Sequence, residues 1–178
     1  MKRIQLLPFG KIDDALVADL SADLARVFSV SSEILDARLD PASAYNPERG
    51  QHSSTQILAL MSAHVTPAAW RLLGITPFDL YIPVLTFVFG EAQVGGACAV
   101  VSAHRLTQEF YGLPHDPDLL RARLLKEAVH ELGHTFSLSH CEDYECVMAS
   151  SHAVERIDLK TSRFCPECRP KVFAVVGS

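Results

Sequence analysis

His130-Glu131-Leu132-Gly133-His134, followed by His140, constrains this chain more than any other feature. Two histidines four apart share one face only if the backbone between them is helical. Their ring nitrogens then converge on one point. A third histidine six residues later requires the helix to stop and the chain to turn back. Three imidazoles give a zinc ion three neutral ligands and leave a fourth position for water, which is the catalytic type of zinc site. Glu131 stands beside the pair, placed to take a proton from that water. The run HELGHTFSLSH therefore predicts a helix, a turn and metal-dependent hydrolysis. A bare H-E-x-x-H also fits a helix with two solvated histidines. The spacing to His140 argues against that reading, because it is the spacing of the longer three-histidine motif.

The rest of the helix follows from its caps and its periodicity. Asp116 is placed to cap it, and Pro117 takes the first helical position. At roughly 100° per residue, Leu125, Ala128, Val129, Leu132 and Phe136 gather on one side, with His130 and His134 nearly opposite. One face should enter the core and the other should hold metal. Glu127 lies one turn before His130 on the metal face. The expectation for it is an ordinary exposed carboxylate, and the alternative is a partner that orients a ligand.

Downstream stand Cys141, Cys146, Met148, Cys165 and Cys168. The run HELGHTFSLSHCEDYECVM, with FCPEC beyond it, resembles the archaemetzincins, a branch of the metzincin zinc peptidases. The resemblance implies a catalytic zinc on His130, His134 and His140, with Glu131 as general base. It also implies a structural zinc on Cys141, Cys146, Cys165 and Cys168, giving two zinc ions per chain, and Met148 in a turn beneath the catalytic metal. Four thiolates can close a tetrahedral site that ties the tail segment to the centre. A nucleic-acid zinc finger is the rival reading. The acidic surroundings of these cysteines lack the basic footprint that phosphate contacts require. One departure from the motif is Ser137, where glycine usually supports a sharp turn at positive φ.

Composition sets the frame. A chain of 178 residues, 48% hydrophobic, buries a core as one domain, here taken as residues 1–178. Residues 1–136 would form the sheet-and-helix part and 137–178 the part with the third histidine, the Met148 turn and the four cysteines. A formal charge of −5 argues against a general nucleic-acid role. The N-terminal apolar run is broken by Pro8 and Gly10 and makes a poor signal peptide, and no stretch reaches transmembrane length. Thiolate zinc ligands favour a reducing compartment, so the expected location is the cytoplasm. No membrane partner is expected, and a monomer is favoured.

Along the chain, residues 3–9 read as a first strand. Asp13 caps a helix with Leu16, Val17, Leu20, Leu24, Val27 and Phe28 on one face. Residues 33–39 read as a second strand, 40–54 as a loop and 55–73 as a helix interrupted near Pro67. Residues 79–89 read as a buried strand and 97–103 as another, with Gly90, Gly95 and Gly96 marking a turn between them. The same resemblance implies that the segment 90–97, or the strand after it, pairs with an extended peptide; an ordinary hairpin is the alternative. Cys98 reads as a buried small hydrophobe. His52, His64, His104, His115 and His152 show no ligand spacing. Tyr111 and Tyr144 are candidates for a second oxyanion donor.

Together these readings give an α/β fold, metzincin-like in its α+β character, with a mixed twisted sheet, a long active-site helix and a zinc-bound C-terminal segment. The expected function is zinc-dependent hydrolysis of peptide bonds, with peptide or protein substrates. The alternative is a zinc-holding, peptide-binding protein with little turnover. No pro-segment precedes the first strand, which points to narrow specificity, restricted access or low activity.

Overall fold

The computed structural model describes residues 2–37, 39–67 and 69–176. Strand β1 (Arg3–Pro8) leads into helix α1 (Asp14–Phe28), which Asp13 caps by accepting the Ala15 N–H at 3.2 Å. The apolar spacing of α1 buries Val17, Leu20, Leu24 and Phe28. Strand β2 (Ser31–Ile34) returns parallel to β1, from Arg3 opposite Ser31 to Leu6 opposite Ile34. It begins before the expected strand at 33–39 and stops at Ile34, and Arg38 lies outside the described residues. β2 is a half-exposed edge strand, so its partner's register sets its limits rather than its own alternation.

The expected loop at 40–54 contains two short strands, β3 (Tyr45–Asn46) and β4 (Gln51–Ser53). Ser53 then caps helix α2 (Ser54–Met61). The expected helix at 55–73 is overturned in its second half, apart from Ala68, which lies outside the described residues. A 3-10 turn over Ser62–His64 ends the helix, and strand β5 (Arg71–Thr76) follows. β5 is the central strand, parallel to β1 on one side and to β8 (Cys98–Ser102) on the other. A strand covered on both faces carries a continuous apolar run, which periodicity cannot tell from a buried helix.

The expected strand at 79–89 is also corrected. Only β6 (Leu80–Tyr81) forms a strand, paired with β4; the chain then turns outward, leaving Val84 84% exposed, and Val88 returns to a single bridge with Leu80. Pro83 has no N–H to donate to a ladder. Strand β7 (Gly90–Ala92) then runs antiparallel to β8 along the sheet edge. The main sheet has the order β2-β1-β5-β8-β7, mixed as expected, and β3-β4-β6 form a second, smaller sheet.

Helix α3 (Pro117–Thr135) starts as its sequence dictates, with the Asp116 carboxylate accepting the Leu119 N–H at 2.9 Å. α1 and α3 pack on one face of the sheet against Ile4, Leu6, Leu73, Ile75, Ala99 and Val101. α2 covers the other face, over Leu7, Leu72, Cys98 and Val100. Past α3 come two short helices, α4 (Val154–Leu159) and α5 (Arg169–Val176). Phe164 sets its ring 5.9 Å from that of Phe28 and fastens the tail to α1.

Candidate active site

The last turns of α3 bring His130 and His134 together with their Nε2 atoms 3.1 Å apart. His140 completes a triangle, its ring centroid 5.3 Å from that of His130 and 5.1 Å from that of His134. Each helical histidine is oriented through its other nitrogen. His130 Nδ1 lies 2.8 Å from the Val147 carbonyl, and His134 Nδ1 lies 2.7 Å from the Leu138 carbonyl. A carbonyl only accepts, so each Nδ1 carries the proton and each Nε2 keeps its lone pair facing the common point. Burial, followed by the positive charge of Lys160, pushes His130 well below the ordinary imidazole range. His140 is lowered as well, by burial first and then by His134. Neutral imidazoles with fixed tautomers are what a zinc ion requires.

The chain reverses at the end of α3 through two hydrogen bonds. Ser137 N–H donates to the His134 carbonyl at 2.9 Å and Leu138 N–H to the Gly133 carbonyl at 3.3 Å. Ser137 has φ 64, so the left-handed conformation forms without the glycine of the longer motif. Met148 lies beneath the helix. A Cβ on Gly133 would come within 2.3 Å of its Sδ, so the glycine of HELGH is the space the methionine occupies.

Cys141, Cys146, Cys165 and Cys168 form a second cluster, with all four sulfurs within 4.8 Å of one another and no disulfide. Cys141 Sγ and Cys165 Sγ are 3.8 Å apart, close to the roughly 3.8 Å edge of a tetrahedron with bonds of about 2.3 Å to zinc. Burial pushes the Cys146 and Cys168 thiols up, so a cation among them is the natural source of compensating charge. Both clusters fit zinc by donor type and spacing.

The model of peptidase family M54 matches residues 51–173. The archaemetzincin of Methanocaldococcus jannaschii is 42% identical over 170 residues, covering 96% of this chain and 92% of the relative. The crystal structure of the archaemetzincin from Methanopyrus kandleri superposes with a TM-score of 0.84 at 35% identity, covering 99% of this chain and 96% of that one. The Archaeoglobus fulgidus archaemetzincin, crystallised with malonate, gives 0.81 at 38%, covering 95% and 99%.

The chain belongs to the archaemetzincins, peptidase family M54. It is a zinc metallopeptidase with the mixed α/β fold of that family. In this archaemetzincin Glu131 is buried beside the triad, and burial followed by the nearby Glu127 raises its carboxyl well above the usual range. A dication held by the three histidines would act in the opposite sense. β7 crosses directly above it. A Cβ on Gly90 would lie 2.7 Å from Glu131 Cγ and 2.9 Å from Oε1. The cavity over the triad has a volume of about 480 Å³, with residues 85–92 on one wall and Ser150, Ser151 and His152 on the other.

One residue differs from its expected role. Glu127 is not an exposed carboxylate. It is 3% exposed, lines the cavity, and pairs with Lys160, whose Nζ is 2.9 Å from Oε1. The helical wheel put Glu127 on the correct face, but nothing local shows that Lys160 covers it. His152, which has no ligand spacing, faces the cavity as well. The two tyrosines do not line it: Tyr111 donates to the Arg105 carbonyl at 2.9 Å and Tyr144 is 65% exposed. His52 stacks on Phe78, His104 Nδ1 lies 3.2 Å from the Pro77 carbonyl, and His115 pairs with Glu109, all outside the cavity. Cys98 is buried in β8 as expected.

Proposed function

We propose that His130, His134 and His140 hold the catalytic zinc, that Cys141, Cys146, Cys165 and Cys168 hold a structural zinc, and that Glu131 is the general base of peptide-bond hydrolysis. The observation that carries this reading is the pair of Nδ1–carbonyl contacts, which leave two Nε2 lone pairs converging 3.1 Å apart with His140 beside them. Zinc bound there would act as a Lewis acid, lowering the pKa of a bound water toward about 7 and polarising the substrate carbonyl.

The chain's own groups do the rest. Glu131 accepts the proton of the attacking water and returns it to the leaving amine. Its burial holds the carboxylate in one place and excludes bulk water from the transfer. The free edge of β7 offers backbone N–H and C=O groups to an extended peptide, which would join the sheet as a further strand. Gly90, having no Cβ, lets β7 pass close against Glu131. The whole chain works as one peptidase unit, with the four-cysteine cluster fastening the C-terminal part. Thiolate zinc ligands suit a reducing compartment, which favours the cytoplasm as the protein's location. No helix among the described residues is long and apolar enough to cross a membrane.

The test is Glu131→Gln, which keeps the side chain's shape and removes its basicity. The variant should retain zinc and lose peptide hydrolysis by on the order of 100-fold or more. Wild-type turnover in the variant would reject the general-base role. A zinc-replete wild type that cleaves nothing in a diverse peptide library would favour a peptide-binding function instead.

A further inference from the structure

Beneath the histidine triad lies an ion pair that the steps above leave unused. The Lys160 side chain is 0% exposed and that of Glu127 is 4% exposed. Lys160 Nζ sits 2.9 Å from Glu127 Oε1 and donates to the Ala149 carbonyl at 3.2 Å. Taking two charges out of water is costly, and apolar side chains of similar volume often fill such a space with no loss of stability. Stability alone therefore does not account for the pair.

Its position does. Glu127 stands one turn before Glu131 on the helix face that also carries His130 and His134. Ala149 directly follows Met148, in the segment whose Val147 carbonyl orients His130. Residues after Lys160 hold the far side of that segment. Thr161 donates from N and from Oγ1 to the Glu145 carbonyl, both at 2.9 Å, and the Arg163 carbonyl accepts the Val147 N–H at 3.0 Å. Those bonds tie the segment to its own strap and do not reach α3. Lys160 reaches both the segment and the helix. It is held in place from α4, where Asp158 takes Arg123 of α3 at 2.8 and 2.7 Å.

We propose that Lys160 and Glu127 are positioning residues for hydrolysis, the ammonium locking the segment around Val147 to the ligand helix and so setting where His130 and Glu131 stand. The proposal rests on the reading of this cavity as a zinc peptidase site. The two readings separate in the experiment, because metal geometry is measured apart from turnover.

The variants are Lys160→Met, Glu127→Gln, and the double variant Glu127→Leu with Lys160→Met. Each is assayed for melting temperature, for kcat and KM on a cleaved peptide, and for the affinity and absorption spectrum of cobalt(II) in the histidine site. Lys160→Met should lower both melting temperature and kcat, since it strands a buried carboxylate. The double variant should regain the melting temperature. Its kcat should stay down by about tenfold or more with KM little changed, and its cobalt should bind about tenfold more weakly with a shifted spectrum. A double variant with wild-type kcat and wild-type cobalt behaviour overturns the proposal and leaves the pair a structural tie. If the wild type cleaves no peptide, the functional reading fails and the cobalt measurements alone decide, with unchanged affinity and spectrum overturning the positioning role. If the double variant does not fold, Glu127→Gln carries the test. It should show a smaller loss in the same direction, and unchanged kcat and cobalt affinity in it overturn the proposal.

Discussion

Gly90 shows how narrow the margins are for single residues over this site. A methyl group there would sit 2.6 Å from the Val100 carbonyl and 2.7 Å from Glu131 Cγ. One of those neighbours is the backbone of β8, so β7 must shift away from it, and Glu131 must move as well. Gly90→Ala should displace the Glu131 carboxylate and lower kcat on the order of 100-fold, because misplacement by about an ångström costs that much. Zinc content should stay at the wild-type value. Kinetics and metal analysis on one preparation check this, and wild-type kcat would mean that Glu131 tolerates a shift. Ser137 shows a local rule being overridden. Left-handed backbone costs a residue other than glycine about 1–2 kcal/mol, yet the hydrogen bonds to Gly133 and His134 carbonyls hold the serine there.

Among the elements, α3 carries the candidate site and the small sheet β3-β4-β6 supports the wall facing it. That sheet is tied to the turn that follows β8 through Asp79, just before β6. Its carboxylate takes Arg105 Nε at 2.7 Å and Nη2 at 2.8 Å, and Gln51 Nε2 at 2.9 Å. Burial pushes the Asp79 carboxyl up, but the hydrogen bonds from Arg105 and Gln51 outweigh it, and the group ends below the ordinary carboxylate range. A carboxylate whose pKa is depressed by folding adds stability above its unfolded value and loses it as pH falls through the folded one. Asp79→Asn should therefore lower stability at neutral pH by about 2 kcal/mol, the scale of a charge-assisted hydrogen bond. Thermal melts of both proteins should converge as the pH drops below about 4, the ordinary range for aspartate. A difference that is constant with pH would mean the pair contributes through packing alone.

For the whole molecule, the two clusters differ in kind. The histidine cluster opens to the cavity, where a chelator could reach a metal held there. The cysteine cluster draws two thiols from each of two separated segments, so loss of the proposed structural zinc would release the tail that Phe164 fastens to α1. A mild chelator should remove one zinc and abolish hydrolysis with little change in melting temperature. Removal of the second should need harsher conditions and lower the melting temperature by several degrees or more, as loss of a few kcal/mol does in a chain of this size. Zinc counting alongside thermal melts follows both steps. Simultaneous release of two ions with unfolding, or a zinc-replete protein that never holds more than one, would contradict the two-site arrangement.

What the sequence determined by itself was local chemistry at fixed spacing. His130 and His134 must share a helix face, Asp116-Pro117 must open that helix, and His140, Cys141, Cys146 and Met148 stand close enough along the chain for the helix end to gather them. What only the tertiary structure decided depends on partners far apart in sequence. Arg71–Thr76 became the central strand because β1 and β8 flank it, although its apolar run fits a helix equally well. Val84 turned out to solvent because β7 and β8, not residues 79–89, complete the sheet edge. Glu127 is buried because Lys160, thirty-three positions later, arrives to pair with it. Periodicity records which face a residue occupies, but burial and charge depend on what packs against that face, and in a mixed sheet those neighbours come from distant segments.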